Sequence, residues 1–327
     1  MHKLSTKKAF IAYFLFGWLL LIAADRVDEL RVYQGATIAI TTLAIASIIL
    51  LTGYSGQVSL GHGAFLAVGA YAAALSQTYW QSPFWFTLLM SVLVSAAVGF
   101  ILGFAAGRLS GPYLAGTTLA LAVGLPTLAN QFEFLGGETG LVYDAGMPPE
   151  RLGEDFTLYK WFFWIAALVV LIAMFLLRNL LNSRFGRTWK ALRANPTAAQ
   201  LSGVNVTQSK ILAFTISAGV AGLAGALLGM ISIVAPSAFP LSLSFTIITG
   251  AVLAGVTSLL GSMLGAVVLV VIPEIADLVS HQLGDSEKIT TNLPGFIVSV
   301  LLILTVLFSP NGPAEAMRKR RAEHGKH

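Results

Sequence analysis

Residues 84–107 read FWFTLLMSVLVSAAVGFILGFAAG, a run with no charged side chain. Coiled as a helix it extends about 36 Å, more than the roughly 30 Å hydrocarbon core of a bilayer. Working outward, comparable apolar stretches occupy 9–24, 35–53, 64–79, 113–130, 161–177, 211–234, 245–260, 262–273 and 294–309. With 84–107 they make ten. The 262–273 stretch is too short to cross alone, so it is expected as a half-helix or as a misplaced boundary with its predecessor. Of 327 residues, 56% are hydrophobic and 11% charged, against about 25% charged in an average soluble domain. Mean hydropathy is +0.79. A water-soluble fold cannot hide that much apolar surface. A soluble enzyme, a nucleic-acid binder and a disordered chain are therefore excluded, and the expected class is an all-α polytopic membrane protein. The absence of cysteine excludes disulfides and thiol chemistry. The five histidines show no metal-ligand spacing.

The charges test the helix count. Lys3, Lys7 and Lys8, six cations between Arg178 and Lys210, and five in the 310–327 tail fall on one side of a ten-span chain. Loops 25–34, 131–160 and 274–292 fall on the other, with 13 of the 15 acids and five cations. The positive-inside rule makes the first side cytoplasmic, so both termini are expected inside. The basic pI then reflects topology and contact with membrane lipid, not nucleic acid. The basic N-terminus before an apolar run is expected to be a retained first span, not a cleaved signal peptide.

None of the ten stretches holds Asp, Glu, Lys, Arg or His. Proton-coupled carriers commonly place such groups in the membrane. No G-x-x-x-x-G-K-[ST] loop occurs either, so the chain carries no ATP site of that kind. It is either a channel or facilitator, or it draws on a partner's ATP hydrolysis. The ridges Gly99/Gly103/Gly107, Gly225/Gly229 and Gly261/Gly265 are expected to serve packing within the bundle, with dimerisation as the alternative.

Two segments are not simple spans. The first, GYSGQVSLGHG at 53–63, is rich in glycine and hydroxyls. A re-entrant turn beside a pathway suits Gln57, Ser59 and His62; the alternative is a plain turn with His62 as a hydrogen-bonded structural residue. Its G-x-S-G tetrapeptide invites comparison with rhomboid-type serine proteases, but neither His62 nor His281 is placed to activate Ser55. The second, LNSRFGRTWKALRANPTAAQLSGVNVTQS at 181–209, is the longest polar stretch between spans. A short basic helix over 187–193 is expected to break at Asn195-Pro196. A second short helix over 197–203 is expected to end at Gly203. That pair suits docking into a groove on a soluble partner.

Three blocks then carry a resemblance. They are Gly53–Phe65 (GYSGQVSLGHGAF) with Gly69-Ala70-Tyr71; GPYLAGTTLA at 111–120 with GGETGL at 136–141; and SRFGR at 183–187 through Ala198-Ala199, Gly203-Val204-Asn205 and AGLAGAL at 221–227. The chain resembles the permease subunits of bacterial branched-chain amino acid ABC importers, nearest the M-type subunit. The resemblance implies a type II-style importer permease in the bacterial inner membrane, as one transmembrane domain. It implies a cytoplasmic coupling segment at 182–209, a periplasmic loop at 131–160 and a basic cytoplasmic tail at 310–327. It further implies a second homologous permease, two cytoplasmic ATPases that bind the ATP and magnesium, and a periplasmic substrate-binding protein. No cofactor or catalytic residue is expected in this chain.

Thr197, Ala198, Ala199 and Gly203 match the E-A-A-x-x-x-G coupling motif except that threonine replaces glutamate, which weakens any carboxylate-specific bridge. With Arg187 and Arg193 they are the expected ATPase contacts. Gln57, Ser59, His62, Thr117, Thr118 and Asn130 are the pathway candidates. Glu138, Asp144, Glu150 and Asp155 are candidates for docking the binding protein. The implied cargo is a branched-chain amino acid or a related small solute such as urea, a short amide or an aromatic acid.

Overall fold

The computed structural model describes residues 6–109, 111–153, 156–282 and 287–308. Its α-helices are α1 (Thr6–Asp25), α2 (Glu29–Ile48), α3 (His62–Trp80), α4 (Phe84–Arg108), α5 (Pro112–Gln131) and α6 (Leu158–Asn182). They continue as α7 (Arg184–Ala194), α8 (Pro196–Leu201), α9 (Val206–Ile231), α10 (Leu241–Ala254), α11 (Gly261–Gln282) and α12 (Glu287–Phe308). Helices cover most of each of the ten apolar stretches, with 232–234 and 255–260 left as non-helical backbone. Six are long and apolar enough to cross a membrane by length and composition: α2 with its π-helical extension, α4, α5, α6, α9, and the 236–254 segment that contains α10. The chain is an all-α, multi-pass membrane protein. The extended backbone that remains includes one antiparallel bridge, Leu141 with Val234.

The centre is the packing of α4 and α3 on α9. Lipid supplies no hydrophobic drive between helices, so they hold by close backbone approach. Gly99, Gly103 and Gly107 lie along α4 facing Ala218, Ile211 and Thr207 of α9. Gly225 lies so close to α3 that an added Cβ would sit 1.8 Å from the Leu66 carbonyl oxygen. The glycine ridges thus serve internal packing, and the α4 ridge is covered by the chain's own helix. Beneath this contact, α2 is buried along Ile40, Leu43, Ile45 and Ile48.

One boundary needs correction. The short element is α10, with 14 residues, and not 262–273. α11 runs unbroken through Pro273 for 22 residues. Proline removes one donor, but neighbouring groups in a bundle re-satisfy the freed carbonyl. α10 is short because it starts inside the bundle. Its approach segment lays Phe239 against Tyr71 of α3, and Ser244 accepts the Gly63 amide at 2.9 Å.

The loops gather at two ends. At one, Gln77 of α3 donates to the Asp144 carbonyl at 2.9 Å and accepts its amide at 3.1 Å. Leu141 and Val234 exchange amide bonds there too. Buried Tyr143 joins Thr87 at 2.8 Å and stacks on Phe84. Burial raises the Tyr143 hydroxyl above its ordinary value of 10.0, nearby Asp144 adds to the rise, and the Thr87 bond opposes it. The neutral phenol is therefore the native form. Above pH 10 the unfolded chain ionises this group while the folded chain does not, so stability falls as pH rises through that window. Tyr143→Phe removes this term. Its thermal midpoint is expected to drop less than wild type's between pH 9 and 11, by calibrated melting in detergent.

Candidate functional site

The other end holds both segments singled out by the sequence. α2 does not stop cleanly. It widens into a π-helical turn, Ile49–Tyr54, a feature that shifts register and leaves carbonyls off the α ladder. A non-helical loop then covers 56–61 before α3 begins. It is pinned internally. Thr52 donates to the Gln57 carbonyl at 3.0 Å, and the Gln57 amide donates to Leu51 at 3.2 Å. Gly56 sits at φ +74°, a left-handed conformation that glycine adopts without penalty.

The first three pathway candidates turn inward. Gln57 Nε2 donates to Ser55 Oγ at 2.7 Å and to the Lys210 carbonyl of α9 at 3.2 Å. Ser59 is buried. His62 is fully enclosed, 0% exposed, with Nε2 2.7 Å from Ser47 Oγ. Ser47 donates its one proton to the Ala44 carbonyl at 2.6 Å. The consistent assignment gives His62 the Nε2–H tautomer, donating to Ser47 and leaving Nδ1 a bare acceptor. Ser217 of α9 completes the cluster by donating to the Ser47 carbonyl at 2.7 Å. The pair is thus a strut between α2, α3 and α9. Ser55 donates to Leu51 at 2.9 Å and is bonded to Gln57 instead of a histidine, so it lacks the base a serine nucleophile needs.

The other three candidates lie on α5. Thr118 is buried, and its Oγ1 accepts the Leu60 amide at 3.0 Å. Thr117 is half-buried and donates to Leu114 at 2.8 Å, while Asn130 is exposed. Gly116, Ala120, Val123 and Thr127 share an exposed face of α5. A Cβ at Gly116 or Gly124 would meet nothing within 4 Å.

The polar segment folds as two helices. Ser183 caps α7 by accepting the Phe185 amide, and Asn195 caps α8 by accepting the Ala198 amide at 3.0 Å. α7 starts three residues earlier than the charge pattern suggests. It is not loose on a surface: Trp189 and Leu192 are buried, and Trp189 Nε1 donates to the Ser209 carbonyl at 3.0 Å. Arg193 reaches back to donate to the Gly53 carbonyl of the π-helical turn, and Lys190 lies over the Tyr54 ring. Arg187 is exposed and touches the Asn182 carbonyl only at 3.5 Å. On α8, Ala199 faces inward. Thr197, Ala198 and Gly203 are exposed, as is Leu201 at 86%. The inward bonds of Arg193 and Trp189 were beyond sequence reasoning. Only the mixture of Trp and Leu with cations in 187–193 hints at an amphipathic, half-buried helix.

At the opposite end Glu138, Asp144 and Glu150 are exposed. Asp155 and the 310–327 tail lie outside the described residues. No group of three metal-binding side chains exists among the described residues.

Residues 32–306 match the family model described as branched-chain amino acid transport system / permease component. The high-affinity branched-chain amino acid transport system permease protein LivM of Salmonella typhimurium is 35% identical over 271 residues, 73% of this chain and 63% of that protein. LivM of Escherichia coli is 34% identical with the same coverage. The ribose import permease protein RbsC of Escherichia coli is 30% identical over 206 residues, 59% of this chain and 57% of that protein. The chain thus spans less than two thirds of these relatives' lengths. No solved structure matches it. The match across most of the chain, together with its all-helical membrane architecture, places this protein in the branched-chain amino acid transport permease family.

Proposed function

We propose that this chain is the membrane permease subunit of an ATP-driven, binding-protein-dependent ABC importer, with a branched-chain amino acid or a related small polar solute as cargo. The observation that carries the reading is the α7–α8 pair. α7 is anchored by Trp189 and Arg193, and it presents the exposed small residues and Leu201 of α8. A channel has no use for a rigidly mounted protrusion of this kind, whereas a soluble ATPase needs one to pull on. Two relatives named as branched-chain amino acid permeases support the cargo class.

In this reading ten helices cross the inner membrane with both termini inside. α7 and α8 then face the cytoplasm, where the described segment carries cations and no acid. Two ATPases dock there and hold the ATP and magnesium; this chain has no catalytic group. A second homologous permease faces the exposed side of α5, so Thr117 and Asn130 border the pathway between the subunits. Uncharged walls let cargo pass without trapping it. Glu138, Asp144 and Glu150 meet the binding protein on the outer face.

Affinity purification from native membranes in mild detergent, followed by mass spectrometry and ATP-dependent uptake in proteoliposomes, tests the reading. Two ATPases, a second permease and uptake that stops without ATP are expected. Uptake that continues at full rate without nucleotide, from a preparation free of ATPase, would instead establish a facilitator.

A further inference from the structure

The loop at 55–61 touches more of the molecule than its length suggests. On one side lies α7: Arg193 donates to the Gly53 carbonyl, and a Cβ at Gly56 would sit 3.1 Å from Arg193 Cγ. On the other lies α5. A Cβ at Gly61 would sit 1.6 Å from the Thr118 carbonyl oxygen, and Thr118 Oγ1 accepts the Leu60 amide at 3.0 Å. No side chain separates loop from helix there, so little slack is left for a displacement to be absorbed.

The two flanking elements differ in how densely they are packed. α7 is anchored at one point by buried Trp189. α5 meets the other helices sparsely, and it starts at Gly111 with φ +59°, a conformation that glycine adopts without penalty. A cleft of about 300 Å³ opens beside the junction, lined by Gly53, Tyr54, Lys190 and Arg193 among others, leaving α7 room to tilt.

We propose that the 55–61 loop is the link through which a displacement of α7 reaches α5, with Arg193 as the input contact and Thr118 as the output. Arg193 and Thr118 are positioning residues in this scheme; neither touches cargo or nucleotide. A pull on α7 moves the Gly53 carbonyl, the pinned loop shifts as a unit, and Gly61 pushes the Thr118 turn of α5. The π-helical turn makes this workable: its Leu51 carbonyl bonds Ser55 and Gln57, and its Gly53 carbonyl bonds Arg193, so a shift of the turn is carried directly into the loop.

The inference rests on the importer reading. The test uses the complete complex with its ATPases and binding protein in proteoliposomes, with hydrolysis and uptake measured on the same sample. Thr118→Val keeps the side-chain shape and removes the acceptor for Leu60. It lies inside the chain, away from the exposed surface of α8. Cargo imported per ATP is expected to fall at least about fivefold while hydrolysis stays near the wild-type rate. Arg193→Met, which keeps the apolar stem, is expected to lower the cargo-to-ATP ratio as well, and Arg193→Lys to restore part of it. A wild-type ratio in both Thr118→Val and Arg193→Met overturns the link. A parallel loss of hydrolysis and uptake, or of assembly, also overturns it, because it shows only a structural role. Absence of ATP-driven uptake by the wild-type complex sinks the importer reading instead.

Discussion

Gly225→Leu is expected to leave almost no folded protein in the membrane. Gly225 sits where α9 crosses α3, and even a methyl group there would lie 1.8 Å from the Leu66 carbonyl oxygen. The obstruction is backbone, so no rotamer change relieves it. Nor can α9 simply back away. Along the same face Gly222 lies against the α4 side chain of Ser95, and Gly69 of α3 faces Gly222 in return, an added Cβ falling 2.2 Å from its carbonyl oxygen. Separating the helices forfeits contacts along both, including the Ser217 bond to Ser47. Overpacking of this kind costs about 3 kcal/mol or more, a large share of a typical folding free energy. The measurement is the monodisperse yield of a fluorescent fusion in detergent. Gly116→Ala on α5 is the control: nothing lies within 4 Å of the added Cβ, so its yield is expected to match wild type. A normal yield for Gly225→Leu would mean that α9 and α3 do not meet as described.

The second large effect concerns partner binding. Leu201→Glu is expected to release the ATPases while leaving the permease folded. Leu201 ends α8 and is 86% exposed. Its loss removes no internal contact of consequence, so melting should shift by no more than a surface substitution does. An apolar side chain this exposed at the tip of a docking helix is one that a partner surface would bury. Putting a carboxylate into an apolar groove costs about 2 kcal/mol or more, which weakens binding roughly 30-fold or beyond. Co-purification of the ATPases and ATP-driven uptake are expected to fall together. Intact co-purification would place the ATPase contact elsewhere on this end of the chain.

Much of the architecture was legible because it depends on composition summed over long windows. A run such as 84–107 needs no neighbour to be recognised as a helix in lipid. The glycines of α4 declared close packing by their spacing, whereas the caps Ser183 and Asn195 emerged only with the structure. What escaped the reading were single contacts. His62 in a glycine-rich turn can face a pathway or a serine fifteen residues away, and nothing local distinguishes the two. Arg193 looks like an unattached cation of a basic helix; only the arrival of Gly53 beside it gives its guanidinium a carbonyl to bind. Pro273 reads as a helix end because proline breaks isolated helices, yet packed α11 carries it.

Apolar length, the sign of charge in each loop and the absence of ionisable groups from the spans were enough to establish a polytopic helical membrane protein with a polar helical segment between spans. These properties follow from transfer between water and lipid, which each segment undergoes on its own terms. Which carbonyl Gly61 faces, which partner His62 keeps and where α10 begins were decided by the tertiary structure. Those outcomes depend on backbones distant in sequence approaching within a few ångströms, and that approach exists only once the whole bundle has closed.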